Sequence, residues 1–161
     1  MEKKKILNNK LSLFKSSTMK KKTLLAAIIN FITKKGKKEL AKKIFQNALL
    51  KASKKLNLGC QFLLVNVFKR LHSFIEVKDV KRRRKFFKIP FFISENRQRY
   101  LSIKWFFSGV ALNKNPIAFS EKICLELLSV LIKKKRSKSF FLKNQNLKLA
   151  VSNRSNIHYR W

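Results

Sequence analysis

Acidic residues are scarce in this sequence, which has 7 Asp and Glu against 40 Lys and Arg in 161 residues and a formal net charge of +33. So much positive charge repels itself in a folded chain, so the fold is stable only where phosphates or their counterions neutralise it. The acids are scattered without a paired constellation, and the 3 glycines form no phosphate-binding loop. The sequence therefore predicts a polyanionic partner and no enzymatic activity.

Cysteine and histidine are also scarce, since the chain has only Cys60, Cys124, His72 and His158. Neither cysteine belongs to a CxxC pair, and the spacing of a metal site is absent, so we expect no metal and no cofactor. Both cysteines are interpreted as small apolar residues in or near the core. Whether they pair in an oxidising compartment is left open by the sequence.

Long hydrophobic runs are missing as well. The longest apolar stretches, residues 24–32 and 124–132, are shorter than the roughly 20 residues that a membrane-spanning helix needs. We expect no membrane partner and no homo-oligomer. The amino terminus contains Glu2 and lacks arginine, unlike a transit peptide, so an organellar product would be made inside its organelle.

Hydrophobic residues nevertheless make up 45% of the chain, including 15 phenylalanines, so the protein is not a disordered basic tail. The predicted fold class is mainly α, with about six helices in one domain, a projecting β-hairpin arm and a basic N-terminal extension. Residues 1–22 show no sustained hydrophobic period and are predicted to be that arm, and residues 23–161 the single domain.

The spacing of apolar residues places the helices. Gly36 lies where the first helix would end in a residue with left-handed backbone conformation. Pro116 can be the first residue of the fifth helix, with Asn115 as its N-cap. The second helix has one apolar and one lysine-rich face. The predicted helices lie at about residues 24–32, 37–51, 62–71, 97–110 and 116–131. A short sixth helix is predicted in the last polar segment, which follows the basic stretch 133–138 and ends in NIHYRW.

The hydrophobic period changes to two between Phe74 and Asp79, and the run KRRRK is followed by FFKIPFFI, which is rich in β-favouring residues. This pattern predicts a β-hairpin at about residues 74–93. Pro90 has no N–H to donate, so the second strand is predicted to be an edge strand with that nitrogen facing away from the ladder.

Five consecutive cations, from Lys81 to Lys85, fall at the predicted tip of this hairpin. Arginine forks there can bind phosphates bidentately, and the adjacent Phe86 and Phe87 can stack on bases. The alternatives are a solvated turn or a run that resembles a nuclear-localisation signal. The charge of the whole chain favours RNA contact.

Three further cationic regions are candidates for phosphate contact. They are the lysines around Gly36, the basic stretch that begins at Lys133, and the carboxy-terminal NRSNIHYRW. In the last region, Tyr159 and Trp161 are equally well explained as apolar anchors that pack on the body of the protein.

Four pieces of the sequence are INFITKKGKKELAKKIFQNAL at 29–49, IEVK and FKIPFFI within 75–93, RQRYLSIKWFF at 97–107 and HYRW at 158–161. In this order they resemble the small-subunit ribosomal protein seven family over nearly the whole chain. The resemblance implies a protein of the head of the small ribosomal subunit. There it would bind rRNA, organise the 3′ major domain beside neighbouring ribosomal proteins, and lie near the exit-site tRNA and the mRNA path.

The resemblance also adds Lys78, Arg97 and Lys104, by position, as residues that face rRNA. The complete set of predicted RNA-binding residues is Lys34, Lys35, Lys37, Lys38, Lys78, Lys81, Arg82, Arg83, Arg84, Lys85, Arg97, Lys104, Lys133, Lys134, Lys135, Arg136, Arg154, Tyr159 and Arg160.

The sequence departs from the family pattern in two places. Arg83 and Arg84 stand where the family's hairpin turn has a glycine pair, and residues 139–153 keep only fragments of the pattern. With heavy use of Lys, Phe, Asn and Ile, this divergence predicts a mitochondrial member, with a plastid member as the alternative. The rival functions are a free-standing RNA-binding assembly or regulatory factor, and a basic membrane-surface protein.

Overall fold

The computed structural model describes residues 18–132 and 136–160. The predicted arm up to residue 17, Lys133 to Lys135 and Trp161 lie outside these ranges. Within them the protein is mainly α-helical with one antiparallel hairpin, which confirms the predicted fold class. The elements are α1 (Thr18–Ile32), α2 (Lys38–Leu56), α3 (Cys60–Leu71), β1 (Ile75–Arg82), β2 (Lys85–Phe92), α4 (Glu95–Ala111), α5 (Phe119–Leu131), α6 (Lys138–Ser152) and a 3-10 helix (Arg154–Arg160).

The chain divides into two compact units, residues 1–42 and residues 43–161, and the boundary falls inside α2. In the first unit, α1 begins at Thr18, so five residues of the predicted arm are helical. A turn links α1 to α2 because Lys35 and Gly36 both adopt a positive φ, of 51° and 74°. Lys37 N donates to Lys34 O across this turn at 3.2 Å. A single domain over residues 23–161 stays a prediction.

The core of the second unit is built from the apolar faces of α3, α4 and α5. Leu63, Val67, Phe106, Val110 and Leu127 are completely buried there. Cys124 is also buried and Cys60 is half-buried, both as free thiols, and burial raises the pKa of the Cys124 thiol. The interpretation of the cysteines as apolar residues in or near the core agrees with this arrangement.

The start of α5 differs from the prediction. Its N-cap is Ala118 and its first residue is Phe119, so the prediction of Asn115 as cap and Pro116 as opener was wrong. Ile117 N donates to Asn115 O at 2.8 Å, and this tight local turn holds the segment outside the helix.

Helices α4 and α6 approach each other closely where Gly109 faces Ser139. A Cβ atom added to Gly109 would lie 2.3 Å from Ser139 Oγ and 2.7 Å from Ser139 N. Ser139 is completely buried, and its hydroxyl donates to Glu126 Oε1 at 2.6 Å. The absence of a side chain at Gly109 therefore sets the distance between these helices.

Glu126 is a carboxylate that is only 7% exposed. Its Oε1 accepts hydrogen bonds from Ser139 Oγ, from Ser139 N at 3.0 Å and from Ser137 Oγ at 2.8 Å. Ser137 is the N-cap of α6, so the carboxylate lies at the positive end of that helix. Three donors and the helix dipole offset the cost of burying this charge.

The hairpin has a register that places Val77 opposite Pro90 and Arg82 opposite Lys85. In an antiparallel ladder, opposite pairs that exchange hydrogen bonds alternate with pairs that do not. Ile93 N donates to Phe74 O, so Phe74 and Ile93 form a hydrogen-bonded pair. Counting along the register from there, Val77 and Pro90 form a pair that exchanges no ladder hydrogen bonds. The nitrogen of Pro90 therefore faces away from the ladder, as predicted. Both strands are edges of a two-stranded sheet.

Side chains of the body cover both edges at the base of the hairpin. On the β1 side, the Asn146 amide donates to Ile75 O at 2.9 Å and accepts from Val77 N at 3.4 Å. On the β2 side, Arg160 Nε donates to Pro90 O at 2.9 Å. These bonds satisfy outward-facing backbone groups, hold the base in place and block pairing with another strand.

Candidate nucleic-acid interface

The cation run of the hairpin lies at its tip, as predicted. Residues 81–86 are all exposed, and Arg83 with Arg84 forms the two-residue turn. Of these two, only Arg83 has a positive φ, of 54°, which is the φ pattern of a type II′ turn. Arginine thus adopts a backbone conformation that usually favours glycine, and it places a charged side chain where glycine would place none.

The 3-10 helix Arg154–Arg160 lies along the outer side of β2. Asn156 Nδ2 donates to Lys88 O at 3.2 Å, and Arg82 Nη2 donates to Tyr159 O at 3.2 Å. The rings of Tyr159 and Phe87 stack with centroids 4.8 Å apart. Tyr159 thus packs on the protein. Of the two interpretations of this residue, RNA contact and an apolar anchor, this arrangement agrees with the second.

Arg160 is half-buried and also bonds to the protein. Its guanidinium bonds to Pro90 O and lies over the ring of Phe92, 5.4 Å from the centroid. Arg154, in contrast, is exposed. RNA contacts by Arg154, Tyr159 and Arg160 stay predictions, and the geometry gives the last two a role in fixing the hairpin.

Arg97 forms a bidentate ion pair with Glu76, with Nη2 2.7 Å from Oε1 and Nε 3.0 Å from Oε2. The hydrogen bond from Arg97 lowers the pKa of Glu76, and the same bond raises the pKa of Arg97. The pair ties the start of α4 to the base of β1. Lys78 and Lys104, the other two residues added by resemblance, are exposed, and Lys78 Nζ lies 5.7 Å from the centroid of the Phe91 ring.

Replacing Glu76 with Gln is expected to lower the free energy of unfolding by about 1 kcal/mol or less at neutral pH, because Arg97 is 42% exposed and solvent screens the pair. The folded pKa of Glu76 lies below its ordinary value, so the contribution of the carboxylate is present above that ordinary value and is lost as pH falls through the folded pKa. Urea unfolding of both proteins over a series of pH values from about 7 downward measures this difference, which should shrink as pH falls.

The matched control is Glu95→Gln, which removes a carboxylate that is 69% exposed and lies 3.3 Å from Arg99. Its effect at neutral pH is expected to be smaller, because that pair is monodentate and more exposed. A difference between wild type and Glu76→Gln that persisted at low pH would contradict the assignment.

The lysines around Gly36 belong to the first unit. Lys34, Lys35, Lys37 and Lys38 are all exposed and follow one another around the left-handed turn. The turn places four exposed lysines within five residues, and such a concentration of positive charge suits a phosphate backbone. Their contact with RNA stays a prediction.

Three basic side chains cap the carboxy-terminal ends of neighbouring helices, a role that no pattern in the sequence indicated. Arg70 donates to Val130 O and Leu131 O of α5, Lys143 to Arg70 O at the end of α3, and Lys138 to Leu112 O at the end of α4. Burial lowers the pKa of Lys143. Since acids are few, helix carbonyls act as the internal partners of these cations. Arg136, nearby in the chain, is exposed.

The described residues contain no cluster of His, Cys, Asp and Glu that could hold a metal ion. Nor do those residues include a helix that is both long and apolar enough to cross a membrane. What they do present is a helical scaffold with exposed cations on a hairpin tip and around a turn. This is the class of protein that binds a polyanion along its surface.

Comparison with known proteins identifies the family. The model of the family described as ribosomal protein S7p/S5e matches residues 2–154. Small ribosomal subunit protein uS7 of Neorickettsia sennetsu is 30% identical over 138 residues, which cover 86% of this chain and 77% of the relative. Protein uS7A of Aquifex aeolicus is 28% identical over 141 residues, which cover 86% of this chain and 87% of the relative. The chain belongs to the ribosomal protein S7p/S5e family.

This membership confirms the resemblance seen in the sequence motifs. It also confirms that the protein is structural and not an enzyme. A third relative, uS7 of Carsonella ruddii, is 31% identical over 105 residues, which cover 65% of this chain and 67% of the relative.

Proposed function

We propose that this chain is a structural constituent of a small ribosomal subunit and that it binds small-subunit rRNA by neutralising phosphates. The observation that carries the proposal is the exposed cation run at the hairpin tip of a chain that matches the family over residues 2–154. A formal charge of +33 makes a close approach of RNA strands favourable, because each phosphate contact releases counterions.

The finer placement is in the head of the subunit, on the 3′ major domain of the rRNA, with neighbouring small-subunit proteins beside it. The hairpin tip would lie near the exit-site tRNA and the mRNA path. The docked hairpin base supports this placement, because side chains on both of its edges fix the direction in which the tip points. A fixed arm can contact RNA without losing much conformational entropy on binding.

The cellular compartment is proposed to be the mitochondrion, with the plastid as the alternative. The support is the sequence's heavy use of Lys, Phe, Asn and Ile and its divergence from the relatives compared above, which are bacterial.

Sedimentation of ribosomes tests the proposal. Small ribosomal subunits are isolated separately from mitochondria, plastids and cytosol and are analysed by mass spectrometry. We expect to find this chain in the mitochondrial subunits. The chain should stay with these subunits through a high-salt wash, because many contacts within folded rRNA hold it. Release by the wash would favour a free-standing RNA-binding factor.

The purified chain adds an independent measurement. Its affinity for a transcript of the 3′ major domain should fall steeply between about 50 and 200 mM salt. An affinity that did not depend on salt would contradict phosphate binding. Stronger binding to anionic vesicles than to the transcript would favour the membrane-surface alternative.

A further inference from the structure

The two adjacent phenylalanines at the hairpin tip differ in their surroundings. Side chains alternate along a strand, so Phe86 and Phe87 point to opposite faces of the ribbon. Phe87 is half-buried and stacks on Tyr159. Phe86 is 71% exposed, and no ring stacks on it within residues 18–132 and 136–160. Of these two neighbours, only Phe86 therefore presents an open aromatic surface.

The exposed ring lies among cations. Lys81 is directly opposite Phe86 in a pair that does not exchange ladder hydrogen bonds, and such pairs bring their side chains closest together. Lys85 precedes Phe86 in the chain, and the turn residues Arg83 and Arg84 precede Lys85. A planar apolar surface bordered by positive charges matches a nucleotide, which has a planar base flanked by phosphates.

We infer that Phe86 is a stacking platform for an unpaired base of single-stranded RNA, with Lys81 on a phosphate of the same strand. The inference rests on the proposed RNA-binding function and specifies its ligand. Bases inside an A-form duplex are stacked on each other and cannot accept a protein ring, so the target is a loop, a bulge or a single strand. Tyr159 supports the platform indirectly, because it holds Phe87 and the backbone of β2 on the other face.

Two probes separate stacking from phosphate contact: a short oligouridine RNA, and an abasic ribose-phosphate strand with the same number of phosphates. For the full chain, Phe86→Ala is expected to weaken oligouridine binding roughly tenfold, since one stacked base contributes on that scale. Binding of the abasic strand should change by less than about twofold, and the salt dependence should stay the same, because the phosphate contacts remain.

Three further variants sharpen the test. Phe86→Tyr keeps the ring and should bind like wild type, whereas Phe86→Leu keeps apolar area without a ring and should bind like Phe86→Ala. Phe141→Ala is the matched control, because Phe141 is 65% exposed but lies on α6 and not on the hairpin. Circular dichroism and thermal unfolding verify that each variant is folded.

Unchanged oligouridine affinity in Phe86→Ala would overturn the inference, as would an equal loss on the abasic strand. If Phe86→Ala instead lost association with ribosomal proteins alone, the ring would belong to a protein contact and the inference would fail. Failure of the proposed function would be seen in the wild-type chain and not in the Phe86 variants. In that case the affinity of the wild-type chain for the abasic strand would not depend on salt.

Discussion

Removing three charges from the hairpin tip, by Arg83→Gly, Arg84→Gln and Lys85→Gln, is expected to weaken rRNA binding about a hundredfold near 0.1 M salt. The same variant should lower the slope of log affinity against log salt by about 2 to 3, because each lost phosphate contact removes nearly one released counterion. Glycine suits the positive φ at position 83, so the turn itself should be preserved. Filter binding or fluorescence anisotropy over a salt series measures both quantities.

The control removes the same number of charges elsewhere, by Lys69→Gln, Lys114→Gln and Lys148→Gln. These lysines are exposed and lie on α3, in the loop after α4 and on α6. If only the net charge mattered, both triple variants would lose the same affinity, and the tip would have no special role. We expect the control to lose much less, since its charges are dispersed and do not meet one RNA strand together.

Replacing Gly109 with Ala is expected to cost several kcal/mol of the free energy of unfolding, at or above the usual range of about 1–3 kcal/mol for overpacking a core. The added Cβ would lie 2.7 Å from the backbone nitrogen of Ser139, and backbone cannot move aside as the end of a flexible side chain can. To relieve the clash, α6 must shift, and this shift would disturb the hydrogen bonds from Ser139 to the buried Glu126. Chemical unfolding followed by circular dichroism measures the loss.

Gly59→Ala is the matched control for this substitution. A Cβ at Gly59 would meet nothing within 4 Å, and its φ of −60° is one that alanine adopts freely. We expect a change within about 1 kcal/mol, because the loss of a glycine N-cap and the reduced entropy of the unfolded chain act in opposite directions. Equal effects of the two substitutions would show that Gly109 does not control the distance between α4 and α6.

Local sequence signals predicted the elements well where one period persisted. The alternation before KRRRK and the position of Pro90 gave the hairpin and its edge, and the helical spacing gave the first five helices. The sixth was predicted as a short helix ending in NIHYRW, whereas α6 spans Lys138–Ser152 and a 3-10 helix follows it. The prediction failed at Asn115 and Pro116, where a favourable cap and opener lie in a tight turn that precedes the helix. Local preferences of this kind are weak compared with the position that packing gives a helix.

The basic residues that cap helix ends are the clearest example of contacts that the sequence does not predict. Arg70, Lys138 and Lys143 look like the other lysines and arginines, yet they cap helix ends. Arg70 and Val130 are 60 residues apart, and Lys143 and Arg70 are 73 apart. A sequence pattern reports the neighbours of a residue within a few positions, whereas such contacts depend on how distant elements pack.

The sequence by itself determined that the partner is a polyanion, because 40 basic against 7 acidic residues require one whatever the fold. It also determined the family, because ordered motifs survive in the chain. Only the tertiary structure decided which charges and rings face outward. Phe86 and Phe87 are equivalent in sequence, and Tyr159, 72 residues beyond Phe87, covers one of them and leaves the other exposed.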